Sequence, residues 1–101
     1  MKLIQANPKI DIESSIYRKV IDKERELRNN NRGTFRRVSK DKWNHKNFYG
    51  WINLSNAPEN IFFAKLQSKN YEQEDRLLAA FVGFLTRHCG NLIDSLTIYY
   101  R

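Results

Sequence analysis

IFFAKLQSKNYEQEDRLLAAFVGFLTRHCGNLIDSLTIYY, residues 61–100, spells strand, helix and strand in turn. Its middle carries the clearest helix boundaries in the chain. Asn70 stands at the cap position with Gln73 three later; Glu72, Glu74 and Asp75 crowd the positive end of the helix dipole, and Arg87 and His88 sit at the negative end before Gly90. Their place in the first turn accounts for the three acids without invoking a metal site. The helix body, Leu77 to Leu85, is almost continuously apolar, so more than one of its faces must be covered, by the core alone or by the core and a partner. It is far shorter than the roughly 20 apolar residues that span a bilayer. Ahead of it, Ile61-Phe62-Phe63-Ala64 is apolar on both faces, as in a central strand covered on part of each side. Behind it, Leu96 and Ile98 alternate with Thr97 and Tyr99 in a terminal strand over 92–100.

Working back from residue 61, Ser55-Asn56-Ala57-Pro58-Glu59-Asn60 is a turn cluster too short for a crossover helix, so a strand over 48–54 and the strand over 61–66 should be antiparallel neighbours. A period of two around Phe35, starting at Gly33, predicts a further strand, followed by a polar stretch from Ser39 to Lys46. Residues 12–29 carry Ile12, Ile16, Val20 and Leu27, with Tyr17 and Ile21 alongside, at helical spacing. Asp11 or Ser14 is the expected cap, Arg18/Asp22 and Glu24/Arg28 are the expected pairs on the solvated side, and Asn29-Asn30-Asn31 with Gly33 ends the helix. Lys2 to Gln5 reads as a short first strand before the Asn7-Pro8 break. The order strand, helix, three strands, helix, strand predicts an α+β single domain over 1–101, a mainly antiparallel sheet with two helices packed on one face. A split βαβ arrangement follows instead if the first strand forms and 33–38 is an insertion.

With 101 residues, 41% of them hydrophobic and 13% aromatic, the chain has material for one core, which excludes a disordered tail. A single cysteine excludes an internal disulfide, and no zinc-type Cys/His spacing or cofactor motif occurs, so neither metal nor cofactor is expected. Met1-Lys2-Leu3-Ile4-Gln5 is not followed by the roughly seven to fifteen apolar residues of a signal peptide, which makes the cytoplasm the expected compartment. Charge is distributed unevenly. Residues 1–50 hold 13 Lys/Arg against 6 Asp/Glu, a net of +7, whereas residues 51–101 hold 5 of each. Arg28, Arg32, Arg36, Arg37, Lys40, Lys42 and Lys46 are opposed in their window only by Asp41.

Phe35, Trp43, Phe48, Tyr49 and Trp51 lie within or beside that basic window, with His45 between them. Cations for phosphate and rings for bases are what a single-strand binder needs, and solvated lysines over an aromatic core would look the same. The other reading is a protein interface, in which Arg36, Arg37, Trp43, Tyr49 and Trp51 are the anchors, because Trp, Tyr and Arg dominate interface energetics. No catalytic residue is assigned. His88 and Cys89 are adjacent on a helix and point about 100° apart, which is no dyad. A ribonuclease would have to use His45 as base with Lys42 or Arg37 beside the phosphate.

The last third of the chain, the apolar helix Leu77 to Leu85 running into Ile93-Asp94-Ser95-Leu96-Thr97-Ile98-Tyr99-Tyr100, resembles in layout small bacterial toxin-immunity proteins of the contact-dependent growth-inhibition and barstar-like kind. The resemblance covers about a quarter of the chain and transfers no functional residue. It implies a non-enzymatic cytoplasmic inhibitor that covers a cognate toxin or enzyme. Inhibitors of basic nucleases in that group are usually acidic, and this chain is basic. Binding of single-stranded RNA or DNA through residues 28–51 is the alternative.

Overall fold

The structure, a computed structural model, describes residues 1–10 and 14–101. The order is β1 (Lys2–Pro8), α1 (Ile16–Asn29), β2 (Phe35–Arg37), β3 (Lys42–His45), β4 (Trp51–Asn56), β5 (Phe62–Gln67), α2 (Tyr71–Cys89) and β6 (Ile93–Tyr100), with short 3-10 turns at Pro58–Asn60 and Gly90–Leu92. The strands form one sheet in the order β2-β3-β4-β5-β1-β6, and every neighbouring pair is antiparallel. This is the expected α+β class with a mainly antiparallel sheet. β5 and β6 run parallel to each other with β1 between them, so β5-α2-β6 is a split βαβ unit. Residues 35–37 are no insertion, because they pair with β3 and extend the sheet.

Pairing register sorts the strand residues onto two faces. Trp43, Ile52 and Leu66 lie in one cross-strand row and Leu54, Ala64, Ile4 and Ile98 in another, all but the last buried. Against them pack Ile16, Val20 and Ile21 of α1 and Leu77, Leu78, Phe81, Phe84 and Leu85 of α2. Phe81 is the hub: its ring is fully buried and meets Phe35 edge-on at 5.4 Å, Trp43 at 6.1 Å, and Phe84 stacked at 5.9 Å. Gly50 admits β4 into this assembly. With φ at +143°, a Cβ there would come within 2.6 Å of the Gln67 carbonyl oxygen and 3.0 Å of Leu77, so only glycine fits.

The strand that the sequence marks only faintly, β1, is internal, and it brings a lysine with it. Lys2 lies in the row of Leu66 on the helix side and is buried; its Nζ donates to Glu74 Oε1 of α2 at 3.0 Å. Glu74 Oε2 accepts from the Ser68 N–H at 3.0 Å, and the Met1 ammonium lies 3.2 Å from Oε1. Glu74 therefore does more than complement a dipole: it closes a buried ion pair between the ends of two distant segments. Burial pushes its carboxyl up, but the hydrogen bonds from Lys2, Ser68 and Met1 outweigh this and hold it below its ordinary value. The hydrogen bond to Glu74 raises Lys2 above its ordinary value, against desolvation.

Several local expectations are corrected. Ser15 caps α1, accepting from the Arg18 N–H at 3.0 Å; the alternative Asp11, like Ile12, lies outside the described residues. Glu24, expected on the solvated side, is buried, although it does lie 3.6 Å from Arg28. Asp22 pairs with Arg25 instead of Arg18. The polar stretch 39–46 contains a strand, β3, hidden because only Trp43 of its middle residues faces the core. The 48–54 strand begins at Trp51, and Asn70 caps α2 as expected, accepting from the Gln73 N–H. Among the described residues no helix is long and apolar enough to cross a membrane.

Phe81→Ala should destabilise the fold by about 3–5 kcal/mol in urea denaturation, the usual cost of emptying a closed aromatic site. The Lys2–Glu74 pair makes its own pH window. Its contribution is complete above the ordinary glutamate value of 4.5 and below the ordinary lysine value of 10.5. It fades as pH falls through the depressed Glu74 value or rises through the elevated Lys2 value. The Tm gap between wild type and Glu74→Gln should thus be widest near neutral pH and narrow on both sides.

Candidate functional site

Both helices pack on one side of the sheet, so register alone defines what the other side displays. One row across five strands reads Lys42, Asn53, Lys65, Leu3, Tyr99, and the next reads Ser55, Phe63, Gln5, Thr97. At strands about 4.8 Å apart, the first row is about 19 Å long. Trp51 pairs with Gln67 toward one end of this face, and Arg36 with Asn44 toward the β2 edge. No residue in these pairs is acidic. The paired residues of this face therefore present cations, amides, hydroxyls and aromatic rings and no carboxylate.

Three contacts order the rings. Lys42 Nζ sits 4.1 Å from the Trp51 ring centre, a cation–π contact that holds the indole of a residue 38% exposed. Beside it, Tyr49, Gly50, Trp51, Gln67, Ser68 and Lys69 line a recess of about 300 Å³. The Tyr49 N–H donates to Gln73 Oε1 at 3.3 Å, anchoring the turn while the residue stays 62% exposed. At the far end, the Tyr99 hydroxyl donates to Gln5 Oε1 at 3.1 Å.

The five expected partner-binding residues are split. Arg36 and Trp51 lie on the open face, and Tyr49 shares the recess with Trp51. Arg37 belongs to the helix side of the β2 edge, where its Nε donates to the Lys40 carbonyl at 3.2 Å. Trp43 is fully buried in the core and offers no surface to a partner. Its flanking Lys42 and Asn44 suggest exposure, yet this is the alternation expected of a strand covered on one side. Phe63, Lys65 and Tyr99 lie outside the basic segment and were not singled out; the period of two around Ala64 and Leu66 is the signal that places Phe63, Lys65 and Gln67 together.

His45 is held in place by structure. Its Nδ1 accepts from the Asn47 and Phe48 N–H groups at 3.0 and 3.3 Å, its ring stacks on Phe48 at 4.6 Å, and burial lowers its pKa. It projects to the helix side, whereas Lys42 projects from the open face, so the two are not brought together. Arg37 points to the 38–41 turn. Burial raises the Cys89 thiol to about 11, leaving it a thiol at neutral pH.

A cleft lies at the β2 edge between α1, α2 and the 31–34 loop, lined by Glu24, Phe35 and Phe84 among cationic side chains. Compared with protein families, with curated proteins and with solved structures, the chain matches none, so its geometry carries the functional reading.

Proposed function

We propose that the chain is a non-enzymatic module that binds single-stranded nucleic acid across the open face of its sheet. The observation that supports it is the face itself: Arg36, Lys42 and Lys65 for phosphates, Trp51, Phe63 and Tyr99 for bases, and no acid among the paired residues. A polyanion gains from each neutralised phosphate by releasing condensed counterions, and any base has a face to stack. The Asn53, Gln5 and Ser55 side chains between the cations offer hydrogen bonds to sugars and base edges.

A protein partner, the inhibitor reading, is favoured by a separate observation. β6 is an edge strand of eight residues whose only charged member is Asp94. Its Ile98 and Tyr100 border a shallow apolar groove with Leu78, Ala79 and Val82 of α2. Such an edge accepts an added strand.

Electrophoretic mobility and fluorescence titration with short single-stranded RNA and DNA test the first reading. Affinity should fall steeply with salt, and Lys42→Gln and Lys65→Gln should each reduce the magnitude of the logarithmic salt slope by about 0.7. Trp51→Ala should cost about 1–3 kcal/mol of binding. Unchanged mobility at low salt with micromolar protein overturns it. Capture of one stoichiometric protein, insensitive to nuclease and lost in the Tyr100→Asp variant at the exposed β6 edge, transfers the assignment to the inhibitor reading.

A further inference from the structure

The cleft at the β2 edge holds a carboxylate without hydrogen bonds. Glu24 of α1 is 2% exposed, and neither Oε1 nor Oε2 has a hydrogen-bond partner among the described residues. The nearest cation, Arg28 Nε, is 3.6 Å away, beyond hydrogen-bond reach. A buried carboxylate with two empty acceptors is a costly arrangement in a free protein and a strong one once two N–H groups reach it. Glu24 lines two adjoining cavities of about 310 and 460 Å³, within the usual range of ligand pockets.

Their other walls restrict what enters. Phe35 and Phe84, buried but for 9% and 7% of their surface, meet edge-to-face at 5.5 Å and give the cleft a narrow apolar edge. Arg28, Arg32, Arg36, Arg37, Lys46 and Arg87 surround it, and among the described residues Glu24 is the only acid in either lining. A guanidinium or amine from a peptide would satisfy the carboxylate but is repelled by six cations. The ligand must present two adjacent N–H donors on a flat body and carry negative charge elsewhere. Among the bases, guanine alone combines the N1–H and the 2-amino group on one edge; adenine places an acceptor there.

We propose that this cleft binds a guanine nucleotide, with Glu24 accepting from N1–H and the 2-amino group, the base against Phe35 and Phe84, and the phosphate on the surrounding arginines. Both Glu24 oxygens are closed to solvent and Oε2 is ion-paired with Arg28, whose side chain is more than half exposed, so entry requires this pair to open, which frees Arg28 for the phosphate. Arg36 connects the two surfaces, since register places it on the open face and it also lines the cleft. This assignment rests on the strand-binding reading for the source of the nucleotide: a strand lying across the sheet would tuck one guanine over the β2 edge.

Calorimetric titration of the whole chain with 5′-GMP, 5′-IMP, 5′-AMP and inorganic phosphate tests it. GMP should bind about tenfold or more tightly than AMP, with IMP between them because it lacks the 2-amino group. Glu24→Gln should abolish that preference while leaving phosphate binding intact. Should Glu24→Gln not fold, Arg32→Gln should weaken GMP and leave guanosine unaffected. Equal binding of GMP and AMP, or binding of neither, overturns the assignment. An oligouridine bearing one guanine separates the two proposals. Strand binding without guanine preference removes the cleft alone, and GMP binding without strand binding removes the open-face reading and leaves a free-nucleotide site.

Discussion

Two helices cover one face of a six-stranded sheet and leave the other to water, and this one-sidedness governs the rest of the molecule. Every strand must be apolar at alternate positions and soluble at those between, so each contributes to both the core and the surface. Ile52 and Leu54 face the helices while Trp51, Asn53 and Ser55 face out; Phe62, Ala64 and Leu66 alternate in the same way with Phe63, Lys65 and Gln67. The same backbone rigidity that holds Phe81 against its neighbours therefore fixes the spacing of the outward cations and rings. A binding surface of this kind needs no loop to be ordered on contact, which lowers the entropic cost of recognition.

The second constraint is the insertion of β1 between β5 and β6. The sheet cannot be continuous from β2 to β6 without it, and its partners are 56 or more residues away in sequence, as in Ala6 with Phe62 and Lys2 with Tyr100. Lys2 occupies a core row, where an unpaired ammonium would be expensive; Glu74 makes the position tolerable and links the strand to α2. Replacing both by apolar residues of matching shape would satisfy packing equally well. What the pair adds is registration, since a slip of β1 by one residue would send Lys2 to the open face and leave Glu74 buried without it.

Legibility in the sequence followed the strength of local signals. The limits of α2 are written in Asn70, Gln73 and Gly90, and the antiparallel pairing of β4 and β5 follows from a six-residue turn cluster; both depend on neighbours in sequence. β3 escaped because a four-residue strand with one core residue has too few alternations to register as a period. Glu24 looked solvated because its Arg28 partner is four residues on, a spacing that usually marks an exposed pair; it is buried beside a cleft that the 31–34 loop and Phe35 also line, tertiary neighbours that sequence periodicity does not see. Trp43 and Trp51 looked alike in their basic surroundings. Only the register, which pairs Trp43 with Ile52 and Trp51 with Gln67, assigns one to the core and the other to the surface.

Open face and cleft differ in the physics available to them, and this gives them different roles. On the open face, charges are solvated and separated, so attraction is long-ranged, screened by salt and indifferent to base identity. In the cleft, a desolvated carboxylate meets its ligand at short range, where an absent donor leaves a buried charge unpaired and mismatches are penalised. A protein with only the first surface would bind any strand; one with only the second would have little to draw a strand toward it. Under the proposed reading, Arg36, which faces out by register and also lines the cleft, would pass a strand met on the broad surface to the selective one.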